Sequence, residues 1–290
     1  MRRPIQLREE RNFSEIINIT FQFTFQNLRT LGPVLLYFAA PFSLISGIAT
    51  GLFQSQIFSM ASDRYGMASP FTTAGWGLEY LLSMLFNLLA HIVMSLVVST
   101  YLVQYLDTDG PIQPADIWRV VSRKLLPALG MYILYGLSLV LGFILCFLPV
   151  AYPYTVFSMG TISMIREDLS PIGALQRSQE LAQISWSDGL TTFGIRVLVT
   201  IAASFLGAIL SIPMYLIMFL QGLKVLGENL QWVIMLTSII SVGGSAILGG
   251  LVDVALGFQY FALVEKKEGI GLMEEISQIG TQTRRSEEEE

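Results

Sequence analysis

The chain has one cysteine and one histidine in 290 residues. Cys146 lies inside an apolar run, which excludes an intrachain disulfide and leaves no thiolate set for a metal. His91 cannot build a histidine metal centre alone, and nothing in the pattern asks for a cofactor. Charge is scarce too: Asp, Glu, Lys and Arg make up 13% of the residues, against roughly 25% in soluble domains. The net charge of −5 owes part of its value to Glu287 through Glu290. No basic patch interleaved with aromatics occurs, so nucleic acid is not an expected partner. The glycine pairs Gly243/Gly244 and Gly249/Gly250 follow no strand pattern, which leaves a phosphate loop without support. Adjacent carboxylates such as Glu167/Asp168 and Glu274/Glu275 read as solvated, and no nucleophile can be matched with a base. A non-enzymatic protein is therefore expected. The basic start, MRRPIQLREERNF, lacks the short apolar core and small-residue site of a cleaved signal peptide.

What the chain has is apolar length. Hydrophobic residues account for 53% and mean hydropathy is +0.59. Several runs reach the roughly 20 residues needed to cross about 30 Å of hydrocarbon, where backbone groups must be satisfied within helices. The expected fold class is an all-α integral membrane protein with six transmembrane helices in three hairpins, each preceded by a short cytoplasmic amphipathic helix.

Phe13, Ile16, Ile17, Phe21, Phe25 and Leu28 recur at helical spacing, which predicts an interfacial helix inside an N-terminal segment, residues 1–30. A transmembrane domain follows over 31–265. Its spans are read from Gly32 to about Phe58, Trp76 to Leu106, Leu125 to Pro149, Tyr152 to Ile165, Thr191 to about Ser211, and Leu230 to about Val264. The stretch 213–222 either extends the fifth span or re-enters. Surface helices are expected at Pro114 to Lys124 and within Leu169 to Asp188, where Ser170 is placed to cap and Pro171 to start. Residues 266–290 read as a polar, largely disordered cytoplasmic tail.

Of 17 Lys and Arg, Arg64 and Lys224 alone fall in the proposed outer loops and Arg196 inside a span. The rest sit on one side, the bias of cytoplasmic segments, which places both termini inside. The three surface helices either mark a threefold repeat of helix and hairpin or belong to a plain six-span bundle. Arg177, Trp186, Trp118 and Arg119 are the residues expected at the cytoplasmic interface.

Polar residues recur at four-residue steps inside three spans: Ser83, Asn87, His91, Ser95 and Ser99 in the second, Thr192, Arg196, Thr200 and Ser204 in the fifth, Ser241, Ser245, Gly249, Asp253 and Gly257 in the sixth. Small residues at this spacing let helix backbones approach. Ionisable residues in spans are costly and mark functional positions. His91, Asn87, Arg196 and Asp253 are thus the candidate intramembrane polar site, with an ion pair expected between Arg196 and Asp253.

The run from Tyr152 to Asp188 resembles bacterial polytopic membrane proteins similar to the membrane domain beside some glycerophosphodiester phosphodiesterases and to the YciC-like inner-membrane proteins. The matching residues are Glu167, Ser170, Pro171, Ala174, Leu175, Ser178, Leu181 and Trp186. The ends, RNFSEIINITFQF and QYFALVEKKEGIGLMEEISQIG, resemble uncharacterised membrane proteins of Bacteroidetes. The resemblance implies six helices, cytoplasmic surface helices and the bacterial inner membrane, and it implies no activity. Two functions follow as expectations: a scaffold or assembly protein engaging lipid headgroups or a membrane-protein partner through its cytoplasmic helices, or a small-solute or lipid transporter whose polar midplane cavity is lined by His91, Arg196 and Asp253.

Overall fold

The computed structural model describes residues 5–63, 77–108, 110, 112–145, 148–222, 231–269 and 273. The expected loop around Arg64, Cys146, Lys224 and all of the tail beyond Gly269 except Met273 lie outside them. The described chain is helical: α1 (Phe13–Asp63), α2 (Leu78–Asp107), α3 (Pro114–Ile144), a 3-10 turn (Leu148–Val150), α4 (Ala151–Val156), α5 (Gly160–Arg166), α6 (Pro171–Ala182), α7 (Trp186–Gly222) and α8 (Gln231–Glu268). Tyr80–Asp107, Pro114–Ile144, Trp186–Leu220 and Trp232–Glu268 are long and apolar enough to cross a membrane. The bent pair Phe13–Phe38 and Ala40–Gln54 makes a fifth if it counts as one span.

Two of the three expected surface helices are not separate elements. Phe13 to Leu28 runs without a break into the apolar stretch that follows, and Pro114 to Lys124 is the first part of α3. The bend of 56° in α1 falls instead between Phe38 and Ala40, just ahead of Pro41, which removes one backbone donor and crowds the carbonyl four residues earlier. The start of α1 is fixed by a reciprocal cap: Asn12 N donates to Glu15 Oε2 at 2.8 Å and Glu15 N to Asn12 Oδ1 at 3.1 Å. Nor does this segment lie apart from the bundle. Ile16, Thr20, Phe23 and Leu31 are buried while Phe25 and Leu28 face outward, so helix packing selects a different stripe from the one periodicity suggested. Phe23 meets Tyr101, Tyr105 and Phe258 edge-on, at 5.1 to 6.2 Å.

The expected fourth span is broken into α4 and α5, six and seven residues long. The stretch past Pro213 prolongs α7 as helix. Of the three expected surface helices, α6 alone is a separate element. Ser170 Oγ accepts from Gly173 N at 3.2 Å, with Pro171 in the first turn.

The core sits toward the ends of α2 and α8. Ile92 to Leu102 and Val254 to Leu263 are buried on every side, the mark of central helices. Outer parts of the bundle join through small residues. A Cβ on Gly47 would lie 2.5 Å from Ile239 Cα and one on Gly51 2.9 Å from Met235 Cα, so α1 and α8 touch backbone to backbone there. Helices α1 and α7 flank α8, α2 lies against α1 and α8, and α3 packs on α2. Between α3 and α7 direct contact is at most marginal; α4, α5 and α6 occupy the space between them.

Candidate functional site

Breaking a helix inside an apolar environment frees backbone groups that need other partners. At the α4–α5 break, Ser158 N turns to Thr155 O and Gly160 N to Phe157 O, at 3.2 and 3.3 Å. The carbonyls of Tyr154 and Val156 thereby lose their regular donors, and Met159 N loses its acceptor. Two side chains from other helices replace them. Ser178 Oγ on α6 donates to Val156 O at 2.6 Å and accepts from Met159 N at 3.0 Å. The Arg196 guanidinium on α7 donates to Tyr154 O and lies over the rings of Tyr154 and Tyr135, 3.9 and 5.5 Å from their centroids.

Beside this break is a cavity of about 40 Å³ whose lining includes His91 of α2, Tyr132 and Tyr135 of α3, Ser158 and Thr161 of the broken unit, Arg196 of α7 and Asp253 of α8. At 1.5 Å per residue Asp253 lies about 20 Å along α8 from Lys266, and Arg196 about 15 Å along α7 from Trp186. Tyr132 Oη is 3.3 Å from Thr161 Oγ1, and the His91 and Tyr132 rings meet edge-on at 5.7 Å. Ser95 Oγ donates to Asp253 Oδ1 at 2.7 Å. Tyr135 Oη and Asp253 Oδ2 are buried without a hydrogen-bond partner. The space accommodates one or a few waters.

Three of the four candidate intramembrane residues thus line one cavity, and Asn87 does not. Its amide donates to the carbonyl of Ser83 at 2.9 Å in its own helix. The expected Arg196–Asp253 ion pair is absent from the ion pairs of the described residues. Arg196 is engaged by Tyr154 and Asp253 by Ser95, because the helix break offers the guanidinium a bare carbonyl and two aromatic faces. Three further seam residues make separate contacts away from the cavity: Ser83 with Thr50 at 2.7 Å, Thr192 with Gln259 at 2.9 Å, and Ser241 with Ser211. Sequence reasoning missed Tyr132, Tyr135, Ser158 and Thr161. The prolines at 149 and 153 mark the turn that leads into α4, but the break itself follows Val156, downstream of the groups that a proline disturbs, and had no signal in the sequence.

A belt of ion pairs closes the charged end of the bundle. Glu167 accepts from Arg177 Nε and Tyr260 Oη, each at 2.7 Å, and Arg177 also bonds Glu268. Burial works against the charged Arg177, but its hydrogen bonds to Glu268 and Glu167, with their charges, hold its pKa above the ordinary arginine value. Arg166 meets Asp107 at 2.6 Å and Lys266 meets Asp188 at 2.8 Å. Lys124 meets Asp168, whose carboxyl is held below its usual range by that hydrogen bond and charge. Of the other expected interface residues, Trp186 is 84% exposed. Trp118 is half-exposed and stacked on Phe38 at 5.6 Å, and Arg119 is exposed and 3.8 Å from Asp116. Among the described residues no group of three or more His, Cys, Asp or Glu is placed to hold a metal.

Comparison of the chain with protein-family models, curated proteins and solved structures finds no match.

Proposed function

We propose that this multi-pass membrane protein is a transporter of a small polar solute, with the His91–Arg196–Asp253 cavity as its central site. One observation carries the reading: the α4–α5 break lines the same cavity as the three ionisable residues. Discontinuous helices at mid-membrane are where transporters place their binding sites, because freed backbone groups and polar side chains converge there. The present volume has room for water alone, so binding of a solute requires the helices around the break to rearrange.

The topology belonging to this proposal is six passes in three hairpins, with α4–α5 as a broken fourth pass and both termini in the cytoplasm of a bacterium. The one-sided distribution of Lys and Arg supports that orientation. The resemblance to the phosphodiesterase-associated and YciC-like membrane domains belongs to the proposal as well. Two of its residues, Glu167 and Ser178, tie α6 to α8 through Tyr260 and to the break.

Accessibility tests the reading. In a Cys146→Ser background, Ser158→Cys and Thr161→Cys, both on the cavity wall, should react with a charged, membrane-impermeant maleimide from at least one side of the membrane, while Ile162→Cys, buried like Thr161 but off the cavity, should not. Resistance of both cavity positions from both sides would refute a solute path. The scaffold reading has its own support in the exposed Trp186 beside an apolar groove of about 500 Å³ between α4, the end of α6 and the start of α7. It requires Trp186→Ala to abolish recovery of a partner from mild detergent while leaving cavity labelling intact.

A further inference from the structure

We infer that the cavity's carboxylate is a proton site: Asp253 Oδ2 takes an exchangeable proton delivered as hydronium through cavity water, leaving neutral water, and returns it by the reverse step. This deepens the transport reading, on which only the coupling role of the proton rests. Asp253 is the one charged residue of the chain between 231 and 264. Its Oδ1 is occupied by the Ser95 hydroxyl, and its Oδ2 is buried, unpartnered and on the cavity. The groups that face it are His91 from α2, Tyr132 and Tyr135 from α3 and Arg196 from α7. Helix α1 has no charged residue between Arg29 and Asp63, and α5 has Arg166 alone, which is paired with Asp107.

The guanidinium that could have neutralised Asp253 is held by Tyr154 O and two tyrosine rings. An ionised carboxylate with one open oxygen in a membrane span is costly, and gaining a proton removes that cost without any further ligand. A metal cation is the poorer fit. Alkali and alkaline-earth ions want several oxygen ligands, whereas here an imidazole and a guanidinium share the wall with one free carboxylate oxygen.

Infrared difference spectroscopy on the full-length protein in phosphatidylcholine vesicles tests this without any solute. Between about pH 5 and about pH 9, where solvated carboxyls stay ionised, the wild type should show a protonated-carboxyl band that moves to lower frequency in D2O. The band should vanish in Asp253→Asn and shift upward in Ser95→Ala, which removes a hydrogen bond; Asp253→Glu should restore it at a new position. Identical spectra for wild type and Asp253→Asn, or a band that ignores both pH and D2O, would overturn the inference. Loss of the band on replacing choline by sodium at fixed pH would also overturn it, in favour of a cation site. Resistance of Ser158→Cys and Thr161→Cys to labelling with the band present would remove the transport reading and leave the proton site standing.

Discussion

The serine of α6 that bridges the broken helix offers the sharpest test of how this fold is held. Ser178→Ala deletes one oxygen and leaves Val156 O and Met159 N facing each other's former partner in a fully buried position, since Ser178 has 0% exposure. Two magnitudes compete. Hydrogen bonds between membrane helices are worth about 0.6 kcal/mol each on average, because the unfolded chain in the bilayer also finds partners; on that scale the change costs about 1 kcal/mol. An orphaned buried polar group costs about 1–3 kcal/mol, so two of them cost roughly 2–6 kcal/mol. The second scale applies here. Both orphans are backbone groups in an irregular turn, and neither can rotate to a new partner as a side chain can. The assay is reversible unfolding of the purified protein in mixed micelles by increasing SDS fraction, comparing Ser178→Ala with Ser163→Ala, whose hydroxyl donates to Met159 O within its own helix. We expect Ser178→Ala to lose at least about 2 kcal/mol and Ser163→Ala under about 1 kcal/mol. Equal, small losses would refute the claim that Ser178 holds the break.

Glycine positions give a paired prediction for the α1–α8 contact. Gly47→Ala puts a methyl against the backbone of Ile239 and should cost about 1–3 kcal/mol in the same assay. Gly249→Ala, whose Cβ would meet nothing within 4 Å, should be neutral or stabilising by up to about 1 kcal/mol; a reversed order would contradict the packing described. For pH dependence, Asp168 has a depressed folded-state pKa, so its contribution is present above its unfolded value and disappears as pH falls through the folded one. Asp168→Asn keeps a residue suited to the left-handed backbone at this position, φ 51°. The difference in thermal midpoint between wild type and Asp168→Asn should therefore be small at neutral pH, shrink in high salt, begin to fall below about pH 4 and vanish only once pH is below the depressed folded-state value. A difference unchanged across that range would show that Lys124 is not its source.

How much was legible depended on whether a feature is local. Helical, membrane-compatible segments followed from apolar length, and the start of α6 from Ser170 and Pro171, because length and caps act within a few residues. The seams in α2, α7 and α8 drew attention to His91, Arg196 and Asp253, which the structure places on one cavity with His91 exposed, because an ionisable residue inside an apolar run is visible from its neighbours along the chain. Periodicity misplaced the buried stripe of α1, where a long helix passes several neighbours and each takes a different face. It also left the Tyr152 to Ile165 segment as a single pass, because the break after Val156 is stabilised by Ser178 and Arg196 from other helices.

By itself the sequence determined that this chain is helical and apolar enough to live in a membrane, and that the ionisable residues in its apolar helices are costly there. Only the tertiary structure decided which partners Arg196 and Asp253 have, and it leaves His91 exposed at the cavity edge. Whether Arg196 meets Asp253 or Tyr154 depends on which acceptor lies nearer once the helices pack, and the acceptor that holds it, a bare carbonyl, exists only because α4 and α5 are broken apart. A free backbone oxygen has no signature in the amino-acid sequence, and here it separates the two charges and leaves Asp253 Oδ2 open to the cavity.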